Sequence, residues 1–262
     1  MTPQEPSPQE PVRQEPGQRQ PALVERTALV VRGVQRRALL TLPPAARRVV
    51  VLVHGSGHGD AEGFGPYREA LAELGCASLV VDKAMEGYSA LRRDYDALAR
   101  DAAETVAWVH RRLPDLPVSL LGYSEGSWVA LKAASLVPID RLVLCSAPLV
   151  RPKEQTAHHW AAEHGHLPRP LRRCGALVVR TVLGWTDYGD VDPRPDLARL
   201  GVPVLLVLGG EDRTLDVAGA ARVLEEHVRG ERAVVVERSG HALPADGRWL
   251  HRVAAGWPGG RG

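Results

Sequence analysis

Leu121-Gly122-Tyr123-Ser124-Glu125-Gly126 joins an apolar run, Pro117 to Leu121, to a helical pattern, Glu125 to Ala134. The segment reads G-x-S-x-G at a strand-to-helix junction. A turn that sharp forces the serine into an unusual backbone conformation, and glycines two residues to either side remove Cβ clashes. The Ser124 hydroxyl is then held above the end of a sheet, beside the N-terminus of the next helix. Free N–H groups and a partial positive charge at that helix end suit a developing oxyanion. Ser124 is the candidate nucleophile. The alternative, a Gly-rich turn with an incidental serine, has to be weighed against three other stretches.

The first is Val53-His54-Gly55-Ser56-Gly57, directly after the β-branched run Arg48 to Val53. An oxyanion hole takes one backbone N–H from the residue after the nucleophile and a second from such a loop. Glu125 and Ser56 are the candidates. The second is Leu208-Gly209-Gly210-Glu211-Asp212-Arg213, at the end of the run Pro203 to Leu208. A carboxylate there can orient an imidazole and stabilise its cation. Asp212 follows the strand directly after a Gly-Gly turn and is favoured over Asp216, four residues on. The third is Ser239-Gly240-His241-Ala242, past the strand expected over Arg232 to Val236. A serine hydroxyl needs a base within hydrogen-bond reach, and histidine has the right ordinary pKa.

Working outward, strands and helices alternate along the chain. Ala28 to Val34 and Ala38 to Leu42 read as a hairpin joined at Gln35-Arg36-Arg37. Ala77 to Val81 and Arg141 to Cys145 are further buried strands, and helices are expected over Pro66–Leu74, Asp94–Arg112, Val217–Val228 and Asp246–Ala255. Such alternation implies βαβ units about a mostly parallel sheet. The expected architecture is a three-layer α/β sandwich of about eight strands. Between Ala147 and Arg199 the rhythm breaks into helical pieces, read as a small lid over the site. Trp160, Leu177 and Trp185 are its candidate substrate-pocket residues, set to receive acyl chains of moderate length.

The motifs His54–Gly57, Gly122–Gly126, Gly209–Asp212 and Gly240-His241 resemble those of the α/β-hydrolase superfamily. The chain looks most like bacterial hydrolases grouped with serine aminopeptidases and dienelactone-hydrolase-like esterases, from about Ala28 onward. The order Ser, Asp, His is the one that fold uses. The resemblance implies an α/β-hydrolase fold and hydrolysis of a carboxylic ester or related acyl bond through an acyl-enzyme, by Ser124, His241 and Asp212. Thioesters and small peptide or amide substrates stay open, as does a non-catalytic ligand-binding homologue. One stretch departs from the family pattern: Asp82-Lys83-Ala84-Met85-Glu86-Gly87-Tyr88-Ser89 keeps Asp82, Gly87 and Ser89 and loses the rest. That loop borders the site, so the departure bears on substrate rather than on fold.

Composition sets the remaining bounds. The chain has 262 residues, 44% hydrophobic and 24% charged, which suits one large soluble domain over residues 23–262. Residues 1–22, rich in Pro, Gln and Glu, lack apolar surface to offset ordering entropy and are expected to be a disordered tail. A formal net charge of +2 gives no strong field for nucleic acid or anionic membrane. A small-molecule acyl substrate is the expected partner, and the oligomeric state is left open. Three cysteines without CxxC spacing fit a reducing, cytoplasmic setting, with Cys145 a small core residue. Neither a metal nor a cofactor is expected. Gly55-Ser56-Gly57-His58-Gly59-Asp60 has Asp60 where a dinucleotide fingerprint needs its third glycine. The cluster His158, His159, His164, His166 has no H-E-x-x-H spacing and reads as a polar lid face.

Overall fold

The computed structural model describes residues 21–255, apart from 230, 232 and 247. All but the last two residues of the expected N-terminal tail lie outside that range. Eight strands form one sheet in the order β1-β2-β4-β3-β5-β6-β7-β8. They are β1 Leu23–Val31, β2 Val34–Leu42, β3 Val49–Val53, β4 Ala77–Val81, β5 Val118–Tyr123, β6 Arg141–Cys145, β7 Val204–Gly209 and β8 Val234–Val236. β1 and β2 pair antiparallel with each other, as do β2 and β4, and every pairing from β4 to β8 is parallel. This is the α/β-hydrolase fold expected from the sequence.

The parallel strands carry two apolar faces, so their side chains alternate between two cores. Val49, Val51, Leu79, Leu120, Leu142, Leu144 and Leu206 face α2 (Tyr95–Arg112), α3 (Gly126–Ala133) and α7 (Val217–His227). Val50, Leu52, Val80, Leu121, Val143, Cys145, Leu205 and Val207 face α1 (Gly65–Glu73) and α8 (Arg248–Ala255). Cys145 is fully buried there, as a small apolar residue would be. The insertion after β6 forms α4 (Pro152–Glu163) and α5 (Arg169–Leu183), which pack on each other, and then α6 (Arg194–Arg199). α6 is part of the body, because its Leu197 is buried in the first core. Among the described residues no helix is long and apolar enough to cross a membrane.

The hairpin differs from its expected form. β1 and β2 are longer than the apolar runs alone suggest, and the chain reverses at Arg32-Gly33, with Val31 opposite Val34. Both turn residues have positive φ, 47° and 77°. A two-residue hairpin loop of that kind matches the strand twist, and glycine is its usual second residue. Gln35, Arg36 and Arg37 are polar but lie within the ladder.

His54, the first residue past β3, is packed beneath the loop that follows. A Cβ added at Gly59 would meet its ring at 2.3 Å, and the Phe64 ring lies 5.1 Å away. Its Nε2 is buried with no hydrogen-bond partner among the described residues. Burial, assisted by the nearby Lys83 charge, pushes the imidazole down from 6.5 to about 4.

Gly33→Ala should lower unfolding free energy by about 1 kcal/mol, because no atom crowds the position and only the positive φ is strained. Urea denaturation measures it, and an unchanged midpoint would contradict this turn. For His54, the unfolded chain binds a proton below pH about 6.5 that the folded chain refuses until about 4. Stability therefore falls as pH drops through that window, by roughly 3 kcal/mol in total. Unfolding midpoints taken from pH 7 to 4 should show this slope, and His54→Gln should flatten it.

Candidate active site

β3, β5, β6 and β7 run parallel and end at one edge, so the loops that leave them meet. β5 ends at Tyr123, and Ser124 turns the chain into α3 with φ of 51°, a left-handed conformation rare for serine. The turn is tied down twice: Ser124 N–H donates to Cys145 O (2.8 Å), and Ser127 N–H donates to Ser124 O (2.9 Å). A Cβ at Gly126 would lie 2.4 Å from His54 O and 2.5 Å from Val53 O. Only glycine lets the elbow press that closely on the loop after β3.

Ser124, His241 and Asp212 come together in a line. Ser124 Oγ lies 2.9 Å from His241 Nε2, and His241 Nδ1 lies 2.7 Å from Asp212 Oδ2. With Asp212 ionised, Nδ1–H donates to the carboxylate, which leaves Nε2 to accept from Ser124. The His241 carbonyl accepts from the Tyr123 hydroxyl (2.6 Å) and the Ser146 hydroxyl (2.7 Å). Glu211 N–H donates to Ser239 O (2.8 Å), joining the Asp212 loop to the His241 loop.

Asp212 is buried, which alone would raise its carboxyl. Hydrogen bonds from His241 and Thr214 outweigh that and hold it below its ordinary value. Thr214 donates from Oγ1 (2.7 Å) and from its amide (2.8 Å) to Asp212 Oδ1, and its Oγ1 lies 2.9 Å from His241 Nδ1. Thr214 is absent from the residues expected at the site. Its signal is the D-x-T spacing, in which a side chain two residues on folds back onto the carboxylate. Asp216 sits elsewhere: its side chain accepts from Gly219 N–H and caps α7.

The Ser56 and Glu125 amides have no acceptor among the described residues. Both residues line a cavity of about 310 Å³ together with Ser124, His241, Thr214, Arg93 and Trp128. α4 closes its other side with Gln155, Thr156 and His159.

The Glu125 side chain points the other way, into the body, and is 3% exposed. It accepts from Tyr88 Oη (2.8 and 2.9 Å), from Lys83 Nζ (3.2 Å) and from Arg93 Nη1. Lys83 Nζ also donates to Gly55 O (2.6 Å), and Tyr88 Oη accepts from Gly57 N–H (3.1 Å). One buried carboxylate thus gathers the residues on both sides of Ser56. Burial and the Glu125 charge push the Tyr88 hydroxyl up to about 12, so it stays a proton donor at neutral pH. Burial lowers Lys83, and Glu125 partly offsets this. Lys83 and Tyr88 occupy the stretch that departs from the family pattern, which is why motif matching passes over them.

The three expected pocket residues are not brought to this cavity. Trp160 stacks on His164 with ring centroids 4.1 Å apart. Leu177 and Trp185 are 63% and 80% exposed. α5 packs on α4, and Leu177 and Trp185 lie on the solvent side rather than among the residues lining the cavity. The wall that α4 presents is polar, and the expectation that Trp160, Leu177 and Trp185 receive acyl chains of moderate length gives way to that finding. In the histidine cluster, His159 Nε2 pairs with Glu163 (3.2 Å). Among the described residues no group of three or more His, Cys, Asp or Glu could hold a metal ion.

A family model described as serine aminopeptidase, S33, matches residues 44–169, the part carrying the loop after β3 and the elbow. No curated protein matches the chain in sequence. An esterase of Pyrococcus furiosus superposes with a TM-score of 0.65 at 16% identity, covering 89% of this chain and 90% of the other. A dienelactone hydrolase of Anabaena variabilis superposes with a TM-score of 0.62 at 21% identity, covering 90% and 95%. An esterase of Exiguobacterium antarcticum gives 0.55 at 21% identity, covering 82% and 92%. Sheet order, elbow and the match over residues 44–169 together give the chain the α/β-hydrolase fold and make it similar to serine hydrolases of that fold.

Proposed function

We propose that this protein is a serine hydrolase that cleaves a carboxylic ester through an acyl-enzyme. The observation that carries the proposal is the unbroken line from Ser124 Oγ to His241 Nε2 (2.9 Å) and from His241 Nδ1 to Asp212 (2.7 Å) beside two unengaged amides. Ser124 Oγ attacks the scissile carbonyl carbon while His241 Nε2 takes its proton. The carbonyl oxygen, now an oxyanion, accepts from Ser56 and Glu125 N–H. His241 returns the proton to the departing alkoxide, leaving an ester on Ser124. Water, deprotonated by the same imidazole, attacks that ester and frees the acid and Ser124. Asp212, kept ionised by its hydrogen bonds, stabilises the imidazolium in both halves.

Esters are favoured over amides because an alkoxide leaves with less acid assistance than an amine. Short or polar acyl groups are favoured over long apolar ones, since Arg93, Gln155, Thr156, His159 and Thr214 line the cavity. We further propose that Lys83, Tyr88 and Glu125 position the two oxyanion donors without their side chains touching the substrate.

Ser124→Ala should lower turnover of p-nitrophenyl acetate by roughly 10⁴-fold, with an unchanged melting curve. A fluorophosphonate should label the parent protein and leave this variant unlabelled. A folded parent that neither labels nor turns over esters, thioesters or aminoacyl amides would be a non-catalytic homologue.

Tyr88→Phe removes one hydrogen bond to Glu125 and one to the Gly57 amide while leaving the ring in place. Loss of one oxyanion-hole donor costs roughly 10²–10³ in kcat. A displaced donor should cost less, so kcat should fall about 10- to 100-fold with KM within about twofold. An equal rise in KM, or no change in kcat, would remove the positioning role.

A further inference from the structure

α5 turns an unusual surface to solvent. Leu171, Leu177, Val178, Val182 and Trp185 are 58, 63, 61, 40 and 80% exposed. Positions 171, 178, 182 and 185 are separated by seven, four and three residues, the spacing of one helix face. The side of the helix that adjoins this face is already occupied. A Cβ at Gly175 would collide with the Trp160 ring, Val179 packs against the main core, and Leu183 is buried. The exposed stripe is therefore surplus to the packing of the hairpin. Contiguous apolar surface of this kind marks an interaction site.

Within the helix stretch itself the charge is of one sign, with Asp190 the acidic neighbour that Arg180 meets from outside it. From residue 164 to residue 186 the sequence contains Arg169, Arg172, Arg173 and Arg180 and no Asp or Glu. Around the helix, Arg169, Arg173 and Arg180 follow Leu177 on the other flank of the apolar arc. A helix with Leu, Val and Trp on one face and arginines beside it has the composition of an interfacial helix. It lies flat at a lipid headgroup boundary with its cations among anionic groups. Arginine stems cover apolar surface while their heads reach outward. A second copy of the chain is a worse fit. Two such helices face to face would bring two sets of four arginines together without one acidic partner from either stretch.

We infer that α5, with Trp185 just past its C-terminal end, docks this protein onto an anionic lipid surface. The docking face is separate from the cavity beside Ser124, and it needs none of the catalytic residues. α4 carries both: its far side receives α5, and its Gln155, Thr156 and His159 line the cavity. Docking would therefore bring the mouth of the site close to the headgroup layer. Net charge over the whole chain, +2, conceals this local excess.

The test is co-sedimentation of the full chain with vesicles of phosphatidylcholine, with and without phosphatidylglycerol. The expected result is binding that needs phosphatidylglycerol and weakens at least about tenfold in roughly 0.5 M NaCl. Leu171→Ser/Val178→Ser/Trp185→Ser and, separately, Arg173→Glu/Arg180→Glu should each weaken it at least about tenfold. All these positions are exposed, and hydrolysis of soluble p-nitrophenyl acetate should stay within about twofold in both variants. No binding to either vesicle, or binding to neutral vesicles untouched by the arginine changes, would overturn the inference. Concentration-dependent dimerisation lost in the serine variant, without vesicle binding, would overturn it in favour of a second copy. Failure of the hydrolase reading shows separately, as absent turnover in a protein that still binds vesicles.

Discussion

Between β5 and α3 the chain must reverse from extended to helical within two residues, and that constraint organises the rest of the molecule. Ser124 meets it with a left-handed backbone at φ 51°, a conformation costing of order 1 kcal/mol or more unless its surroundings enforce it. The surroundings here are neighbouring strands. Ser124 N–H is held by Cys145 O at the end of β6, and Gly126 is pressed against the carbonyls of Val53 and His54 at the end of β3. Three parallel strand ends are thereby locked to one point. A fourth, β7, brings Asp212 to the same edge, and the sheet register fixes its distance from Ser124.

Electrostatics joins further elements to that point. A carboxylate as buried as Glu125 is tolerated only when cations and donors surround it. Its partners come from the loop after β4, with Lys83 and Tyr88, and from the residue before the cap of α2, Arg93. Each of the first two also grips the loop after β3, at Gly55 O and Gly57 N–H. The elbow, the loop after β3 and the loop after β4 are therefore tied together through one carboxylate. Two cations against one carboxylate leave an excess positive charge beside the Ser56 and Glu125 amides.

The parallel core is legible in the sequence because buried strands and amphipathic helices follow simple periods. β4 and β6 fall where the apolar runs Ala77 to Val81 and Arg141 to Cys145 lie. The helix expected over Asp94 to Arg112 begins one residue later, since Asp94 is its cap. Glycine-bounded motifs locate the elbow, Asp212 and His241 because those turns need particular residues. What is not legible depends on distant partners. Lys83, Tyr88 and Arg93 carry no motif of their own, and their roles exist only once β4, α2 and the elbow are adjacent. The hairpin turn goes astray for a simpler reason. Gln35, Arg36 and Arg37 signal contact with solvent, and a ladder near the sheet edge meets solvent as readily as a turn does. Gly33 marks the reversal through backbone conformation instead.

The lid shows a different limit. Periodicity identifies an apolar stripe on a helix but does not say what the stripe faces. In an insertion that leaves from a strand end beside the site, Leu177 and Trp185 read as pocket walls. In the folded chain α5 packs on α4 at Trp160 and Gly175 and on the main core through Val179 and Leu183, so the second stripe is left outside. Whole-chain charge misleads for a related reason. Screening confines electrostatic attraction to about 8–10 Å at physiological salt, so a surface responds to local charge and hardly to the total. Polar residues on α4 toward Ser124 and apolar residues on α5 toward solvent give the hairpin two chemically distinct faces. Under the docking proposal, the first face bears on which molecule enters the cavity and the second on where the protein sits.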